Sequence, residues 1–529
     1  MVSGITWIAP LILALLFPAG IAGADSAPGG GKDGPCPNVT KAGDVLPADQ
    51  KSITHHGVTV EDAELRYTAT AGSLPVQAGE TRGDCRVFYV GYQVEPADSQ
   101  RPLTFVFNGG PGASSAYLHL GALGPKCLLF EKEGALPGLP PRLTDNVHTW
   151  LRFTDLVFVD PVGTGYSGCT NDTNGSKTDG HNRDGNAAIE TETWGVREDL
   201  AALARFLRLY LTRNGRWLSP RFLVGESYGG FRVAALADLL QSEHGIGLNG
   251  VVLVSPALEF SLLSGDEYGL LPWVVTVPSL TATARYHNKA TGKTIEQENP
   301  REALGDVERF AVEALLPGLA KGDTAAVNGQ LASSIGLSEE RVARLHARIP
   351  PALFAKELLS DKRRLVSQYD GSWSSIDPEP ASPLPTGNDP LLIRLNTLLA
   401  AALNSYVREQ LKFETDIPYK LLNRKVSEKW NWISGLERRQ GFVGVAENLK
   451  RGMSVNKELK VLIAHGVFDL VTPYFGSVIV TRQMALDPAI ATNLRLKVYP
   501  GGHMFYTHPT GRLRLFEDAQ RLFESAQPH

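Results

Sequence analysis

The chain has 529 residues, more than one ordinary core holds, so either two domains or one core with a large insertion is expected. Hydrophobic content of 43% and charged content of 20% belong to a folded globular protein, which excludes fibrous and disordered classes. A formal net charge of -4 gives no reason to expect a nucleic-acid partner, and clusters such as Lys362-Arg363-Arg364 read as solvated helix faces.

The N-terminus carries an apolar run from Trp7 to Phe17, interrupted only by Pro10, and Ala22-Gly23-Ala24 then offers small residues for cleavage before Asp25. Residues 1–24 are therefore expected to be a secretory signal cleaved near Ala24, although residues 1–6 lack Lys and Arg; an uncleaved anchor is the alternative. No later segment approaches a membrane span. Export permits oxidation of Cys36, Cys85, Cys127 and Cys169, for which three connectivities exist. Joining neighbouring segments favours Cys36–Cys85 with Cys127–Cys169. Asn38, Asn171 and Asn174 fit the glycosylation pattern, which has meaning only in a eukaryotic secretory pathway.

Residues 25–55 read as a Gly- and Pro-rich flexible leader. Strand-type alternation follows at Glu64–Thr68 and Arg86–Val90. Leu103–Phe107 is a short apolar run stopping at Asn108-Gly109-Gly110-Pro111-Gly112, and Asp155–Val159 repeats the pattern before Asp160-Pro161-Val162-Gly163-Thr164-Gly165. Residues 168–186 are polar and glycine-rich and are expected to be a surface loop. Ile189 to Leu211 has helical periodicity. The run Phe222-Leu223-Val224 then ends in Gly225-Glu226-Ser227-Tyr228-Gly229, and another helical pattern starts at once. A strand, a sharp Gly-x-Ser-x-Gly turn and a helix form the context that exposes a nucleophilic serine at the carboxyl edge of a sheet. Gly225 and Gly229 are expected where a Cβ would collide with the neighbouring strand and helix.

Strands alternating with helices predict a mostly parallel central sheet flanked by helices, in residues 56–260. Residues 261–455 are dominated by helical periodicity and predict a large, mainly helical cap insertion. The α/β alternation resumes in 456–529, at Leu459–Ala464 and Leu494–Val498. Each resumed strand ends in a polar candidate, Asp469 after the first and His503 after the second. The order Ser227, Asp469, His503, each after its own strand, is that of an α/β-hydrolase fold. His503 is then the base and Asp469 its orienting acid; His465 is the rival histidine. The amide of Tyr228 and one from the Asn108–Gly112 loop are expected to stabilise an oxyanion. No metal or cofactor is required.

Together Asn108-Gly109-Gly110-Pro111-Gly112-Ala113-Ser114-Ser115, Asp160–Ser167, Gly225–Gly229, Gly466-x-x-Asp469 and Gly502-His503-Met504 resemble the serine carboxypeptidase family, peptidase family S10. Pro278–His287 resembles a stretch of its bacterial members. The resemblance implies removal of single residues from peptides with a free C-terminal carboxylate. It implies further that Gly110 and Tyr228 form the oxyanion hole, while Asn108, the Gly109 amide and the Glu226 side chain hold the substrate carboxylate. A carboxylate against Glu226 is tolerable only when one of the two is protonated, so activity favoured at acidic pH is expected. Two positions depart from the family pattern. Ala122 stands where a second glutamate is common, and Ala113 where a cysteine is common. An esterase or acyltransferase would need the same triad without the Asn108/Glu226 clamp, and a binding protein on an inactive hydrolase fold would need neither.

Overall fold

The computed structural model describes residues 45–526 except 48–49, 62, 77–83, 131–134, 171–191, 264–267, 294, 296–298 and 434–442. The expected signal segment, Cys36 and the glycosylation-type positions Asn38, Asn171 and Asn174 lie outside the described residues.

Three long antiparallel strands come first, β1 (Lys51–Val60), β2 (Ala63–Val76) and β3 (Asp84–Val94). Strand β1 begins at Lys51, inside the stretch expected to be leader; its run Ser52-Ile53-Thr54 is rich in β-branched residues. The chain continues through β4 (Leu103–Phe107), β5 (Lys126–Leu128), β6 (Leu143–Asp145), β7 (Asp155–Val159), β8 (Gly168–Thr170), β9 (Arg221–Glu226) and β10 (Gly250–Val254). Short strands β11 (Arg364–Val366) and β12 (Ser374–Ile376) lie in the insertion, and β13 (Lys460–Gly466) and β14 (Leu494–Tyr499) resume the core.

The main sheet has the order β1-β2-β3-β7-β4-β9-β10-β13-β14, with β8 beside β3. From β7 to β14 every pairing is parallel, while β1 to β3 pair antiparallel with one another and β3 pairs antiparallel with β7. Strands β4, β7 and β10 are buried along their whole length, as continuous apolar runs in a doubly covered sheet should be. Alternate residues divide between two cores. Val106, Phe158, Val224, Val252 and Leu462 face one, with the helices Pro390–Ser405 and Pro509–Ser525. Phe105, Val157, Leu223, Val251 and Val461 face the other, with Val196–Arg213, Tyr228–His244 and Ala446–Val455. The sheet order reverses about β4, so the loop after β4 stands at a topological switch point, where ligand sites of such sheets form.

The residues between β10 and β13 are mainly helical but do not share one core. Those from Val274 to Val366 build a third core together with Val467, Phe468, Leu470, Tyr474 and Phe475, which follow β13. Leu391 to Leu421 join one face of the sheet, and Val426 to Met453 join the other.

Two expectations are corrected. Residues Gly168–Thr170 form a strand paired with β3, and Cys169 lies directly opposite Cys85 and is disulfide-bonded to it. Neither Cys36–Cys85 nor Cys127–Cys169 therefore forms, and Cys127 is a buried free thiol. Nearness in sequence guided the expected pairing, whereas the sheet joins two cysteines 84 residues apart.

A cross-link closing so long a loop removes freedom from the unfolded chain, so Cys85→Ser is expected to lower stability by about 2–4 kcal/mol in denaturant unfolding. Cys127→Ser should leave the effect of a reductant unchanged. Equal unfolding midpoints with and without reductant would contradict the bond.

Candidate active site

Strand β9 ends at Glu226, and the next residue, Ser227, adopts φ 58° and ψ -122° before the helix Tyr228–His244 begins. This is the sharp elbow that the Gly-x-Ser-x-Gly spacing predicts. A Cβ on Gly225 would stand 2.0 Å from the Gly229 carbonyl, and one on Gly229 would stand 2.5 Å from that of Phe107, so both positions require glycine. The left-handed backbone of a non-glycine residue is held by neighbours: Ser227 N–H donates to Val254 O at 2.9 Å, and its carbonyl accepts from Gly230 N at 2.9 Å and Ala257 N at 3.2 Å.

Four loops at the carboxyl ends of β4, β9, β13 and β14 meet here. One cavity is lined by Asn108, Gly109, Gly110, Glu226, Ser227 and His503, with Tyr369 and Arg424 contributed by the insertion. His503 Nδ1 lies 2.9 Å from Asp469 Oδ2, with both side chains buried. Asp469 Oδ1 accepts from the amides of Val471 and Thr472 at 2.8 and 2.9 Å, and Thr472 Oγ1 donates to Oδ2 at 2.7 Å. Burial alone would raise the Asp469 carboxyl, but His503 and the Thr472 hydrogen bonds outweigh it and hold it below its ordinary value. Burial likewise pushes the His503 imidazole down; Asp469 beside it outweighs that and leaves it raised. An ionised Asp469 thus fixes the orientation of His503 and favours a proton on it, the property of a base that accepts a proton during reaction.

Tyr228 is the first residue of the elbow helix, where amides lack partners within the helix, and Gly110 sits in the cavity wall. Tyr228 follows Ser227 directly, and a Cβ on Gly109, the residue before Gly110, would stand 2.6 Å from the Tyr228 nitrogen and 2.9 Å from Ser227 Cβ. Asn108 Nδ2 donates to Glu226 Oε2 at 2.7 Å, and Asn108 Oδ1 accepts from Leu118 N at 3.1 Å, so the amide cannot rotate without losing both. Glu226 is buried, and burial raises its carboxyl to about 7 against the opposing effects of His503 and its hydrogen bonds. The rival histidine stands apart: His465 Nε2 pairs with Ser477 Oγ at 2.8 Å, and burial lowers its imidazole to about 4.

Several supporting residues escaped the sequence reading. Arg232, on the elbow helix, forms a buried ion pair with Asp199 (2.7 Å) and donates to the Asn108 carbonyl at 2.5 Å, tying the β4 loop to the elbow. A lone arginine in the apolar stretch after Gly229 was the available signal. Thr472, three residues after Asp469, has the spacing of a side chain that caps its own turn. The segment 367–373 of the insertion gave no local signal, yet it braces the loops after β13 and β14 at once. Tyr369 O accepts from His503 N at 2.5 Å, Asp370 Oδ2 accepts from Gly502 N at 3.0 Å, and Gln368 O accepts from Leu470 N at 3.0 Å. Tyr506 donates to Glu226 Oε2 at 2.7 Å and was also missed.

Comparison with known proteins finds relatives of this chain. Residues 62–264 match the family described as serine carboxypeptidase, peptidase S10. The chain is 30% identical over 229 residues to serine carboxypeptidase-like 45 of Arabidopsis thaliana, covering 40% of this chain and 44% of that protein. It is 27% identical over 213 residues to the pheromone-processing carboxypeptidase KEX1 of Yarrowia lipolytica, covering 40% of this chain and 30% of that one. The chain thus spans less than half the length of these curated relatives. The crystal structure of Kex1Δp, a prohormone-processing carboxypeptidase from Saccharomyces cerevisiae, covers 86% of this chain and 91% of its own with a TM-score of 0.52 and 16% identity, which shows a shared α/β-hydrolase fold.

Labelling by a fluorophosphonate reads the reactivity of Ser227 without assuming a substrate. Ser227→Ala should abolish it and Asp469→Asn should slow it by about 10⁴-fold. Asp370→Ala leaves the Gly502 amide without its acceptor, at about 1–3 kcal/mol, and should slow labelling by about tenfold or more with the fold intact. Unchanged rates in these variants would contradict the assigned positions.

Proposed function

We propose that this chain, with an α/β-hydrolase core whose residues 62–264 match the serine carboxypeptidase family, is an exported serine carboxypeptidase releasing C-terminal residues from peptides. The observation that carries the reading is the Asn108–Glu226 hydrogen bond opening into the same cavity as Ser227 and His503. A simple esterase has no need of a buried acid and a fixed amide beside its nucleophile.

In the proposed reaction His503 takes the Ser227 proton as Oγ attacks the last peptide carbonyl. The oxyanion that forms is met by the Gly110 and Tyr228 amides, backbone donors beside the nucleophile that bring no side-chain freedom to be lost. The protonated His503 then donates to the leaving amine, and an acyl-enzyme remains on Ser227. Water, deprotonated by His503, releases the shortened peptide. Asn108, the Gly109 amide and protonated Glu226 hold the terminal carboxylate of the substrate, which selects the last peptide bond by distance from the chain end. No cofactor enters this scheme.

Export is supported by two observations. The apolar run Trp7–Phe17 opens the chain, and the Cys85–Cys169 bond suits an oxidising compartment. Among the described residues no helix is long and apolar enough to cross a membrane.

The pH window follows from the two titrating groups. Glu226 must be protonated, which holds below about 7, and His503 must be neutral, which fails as pH falls below its raised value. A bell-shaped kcat/KM is expected for a free-acid peptide, peaking near neutrality where the two limbs meet. An N-blocked peptide offered as free acid and as C-terminal amide, followed by mass spectrometry, should lose single residues far faster from the acid. Equal trimming of both forms, or an optimum well into the alkaline range, would remove the carboxypeptidase reading. Ester hydrolysis dependent on Ser227 with no trimming would favour the esterase or acyltransferase.

A further inference from the structure

Both protein donors to Glu226 converge on one oxygen. Asn108 Nδ2 and the Tyr506 hydroxyl each lie 2.7 Å from Oε2, and among the described residues Oε1 has no hydrogen-bond partner. A carboxyl whose Oε2 already accepts two hydrogen bonds takes its proton on Oε1, where no donor competes. The proton is then presented on the oxygen that protein donors leave open.

Tyr506 reaches this position because of its neighbours. Its ring packs against the turn His119–Leu123, and a Cβ on Gly121 would stand 2.7 Å from ring carbon Cε2. Ala122, buried beside Gly121, adds only a methyl group. Where a second acid would share a proton with Glu226, this chain supplies a phenol. Burial and the adjacent Glu226 push that phenol well above its ordinary value, so it stays a donor across the working range.

We propose that Tyr506 is a positioning residue that keeps the Glu226 proton on Oε1 and sets the pH at which recognition of a substrate's terminal carboxylate is lost. This rests on the carboxypeptidase reading above. Among the described residues the other ionisable groups around Glu226 or lining its cavity are His503 and Asp469 on the loops after β14 and β13, Tyr117 on the turn after β4, and Tyr369, Asp389, Arg424 and Glu428 from the insertion. Burial pushes both tyrosines well up, so they stay neutral, and an ester substrate without a free carboxylate isolates the titration of His503.

The test measures pH profiles of kcat and KM for a free-acid peptide and for the ester, in the wild type, Tyr506→Phe, Gly121→Ala and Glu226→Gln. Loss of a hydrogen bond to the charged form raises the carboxyl further. The alkaline rise in KM for the free acid should therefore move up by about one pH unit in Tyr506→Phe, while the ester profile, which reports His503 and feels Glu226 only through space, should move by much less. Gly121→Ala, which displaces the ring, should shift it in the same direction and decides the matter if Tyr506→Phe does not fold. Infrared difference spectra read the same event without turnover: the Glu226 acid carbonyl band, identified by its loss in Glu226→Gln, should persist to higher pH in both variants. A free-acid preference retained with an unmoved KM limb and an unmoved band overturns the role of Tyr506 and leaves the carboxypeptidase reading standing. A wild type without free-acid preference overturns the reading itself, and this inference with it.

Discussion

The backbone of Ser227 sits where a residue with a side chain is strained, and much of the surrounding architecture serves to keep it there. Four backbone hydrogen bonds hold the residue, one to Val254 at the end of β10, two from the first turn of the elbow helix and one from Ala257. Two glycines give it room, and the Arg232–Asp199 pair locks the adjacent loop against the elbow helix. A turn of this kind persists only when its surroundings over-determine it. The benefit is placement: the hydroxyl stands clear of the strand, with an unspent helix amide beside it.

The same economy applies to the histidine and its acid. They follow different strands, and parallel pairing of β13 with β14 brings their loops side by side. Side-by-side strands alone would leave both loops free to drift. The insertion supplies what the sheet does not, since one segment of seven residues (367–373) hydrogen-bonds to residues on both loops. Ser255, just beyond β10, adds a bond to the His503 carbonyl at 2.8 Å. The imidazole is thus held through its backbone on two sides and through Nδ1 on a third.

What was legible in the sequence was short in range. The elbow, the Asn108–Gly112 loop, and the positions of Asp469 and His503 just past their strands each follow from a few consecutive residues, because a strand end and a glycine turn are local events. The parallel sheet was legible from alternation for the same reason. What escaped depended on contacts between distant segments. Cysteines 84 residues apart become neighbours only once β8 folds onto β3. Tyr506 acts on Glu226 across 280 residues, and no spacing rule connects them. Asp370 lies in the stretch expected to be mainly helical and gave no local signal, and its importance comes wholly from what it meets.

The distribution of the insertion over three cores bears on how this protein could be altered. In a modular protein the segment that shapes a pocket can be exchanged for that of a relative and the scaffold will tolerate it. Here Val467, Phe468 and Tyr474, which flank Asp469, are buried against helices of the insertion. Cutting at the ends of β10 and β13 would therefore strip apolar cover from the very loop that carries Asp469. The insertion both lines the cavity, through Leu392, Leu422 and Arg424, and packs against the loop that carries Asp469, so recombination at these strand ends exchanges both together, and a change of pocket alone has to come from individual cavity-lining residues.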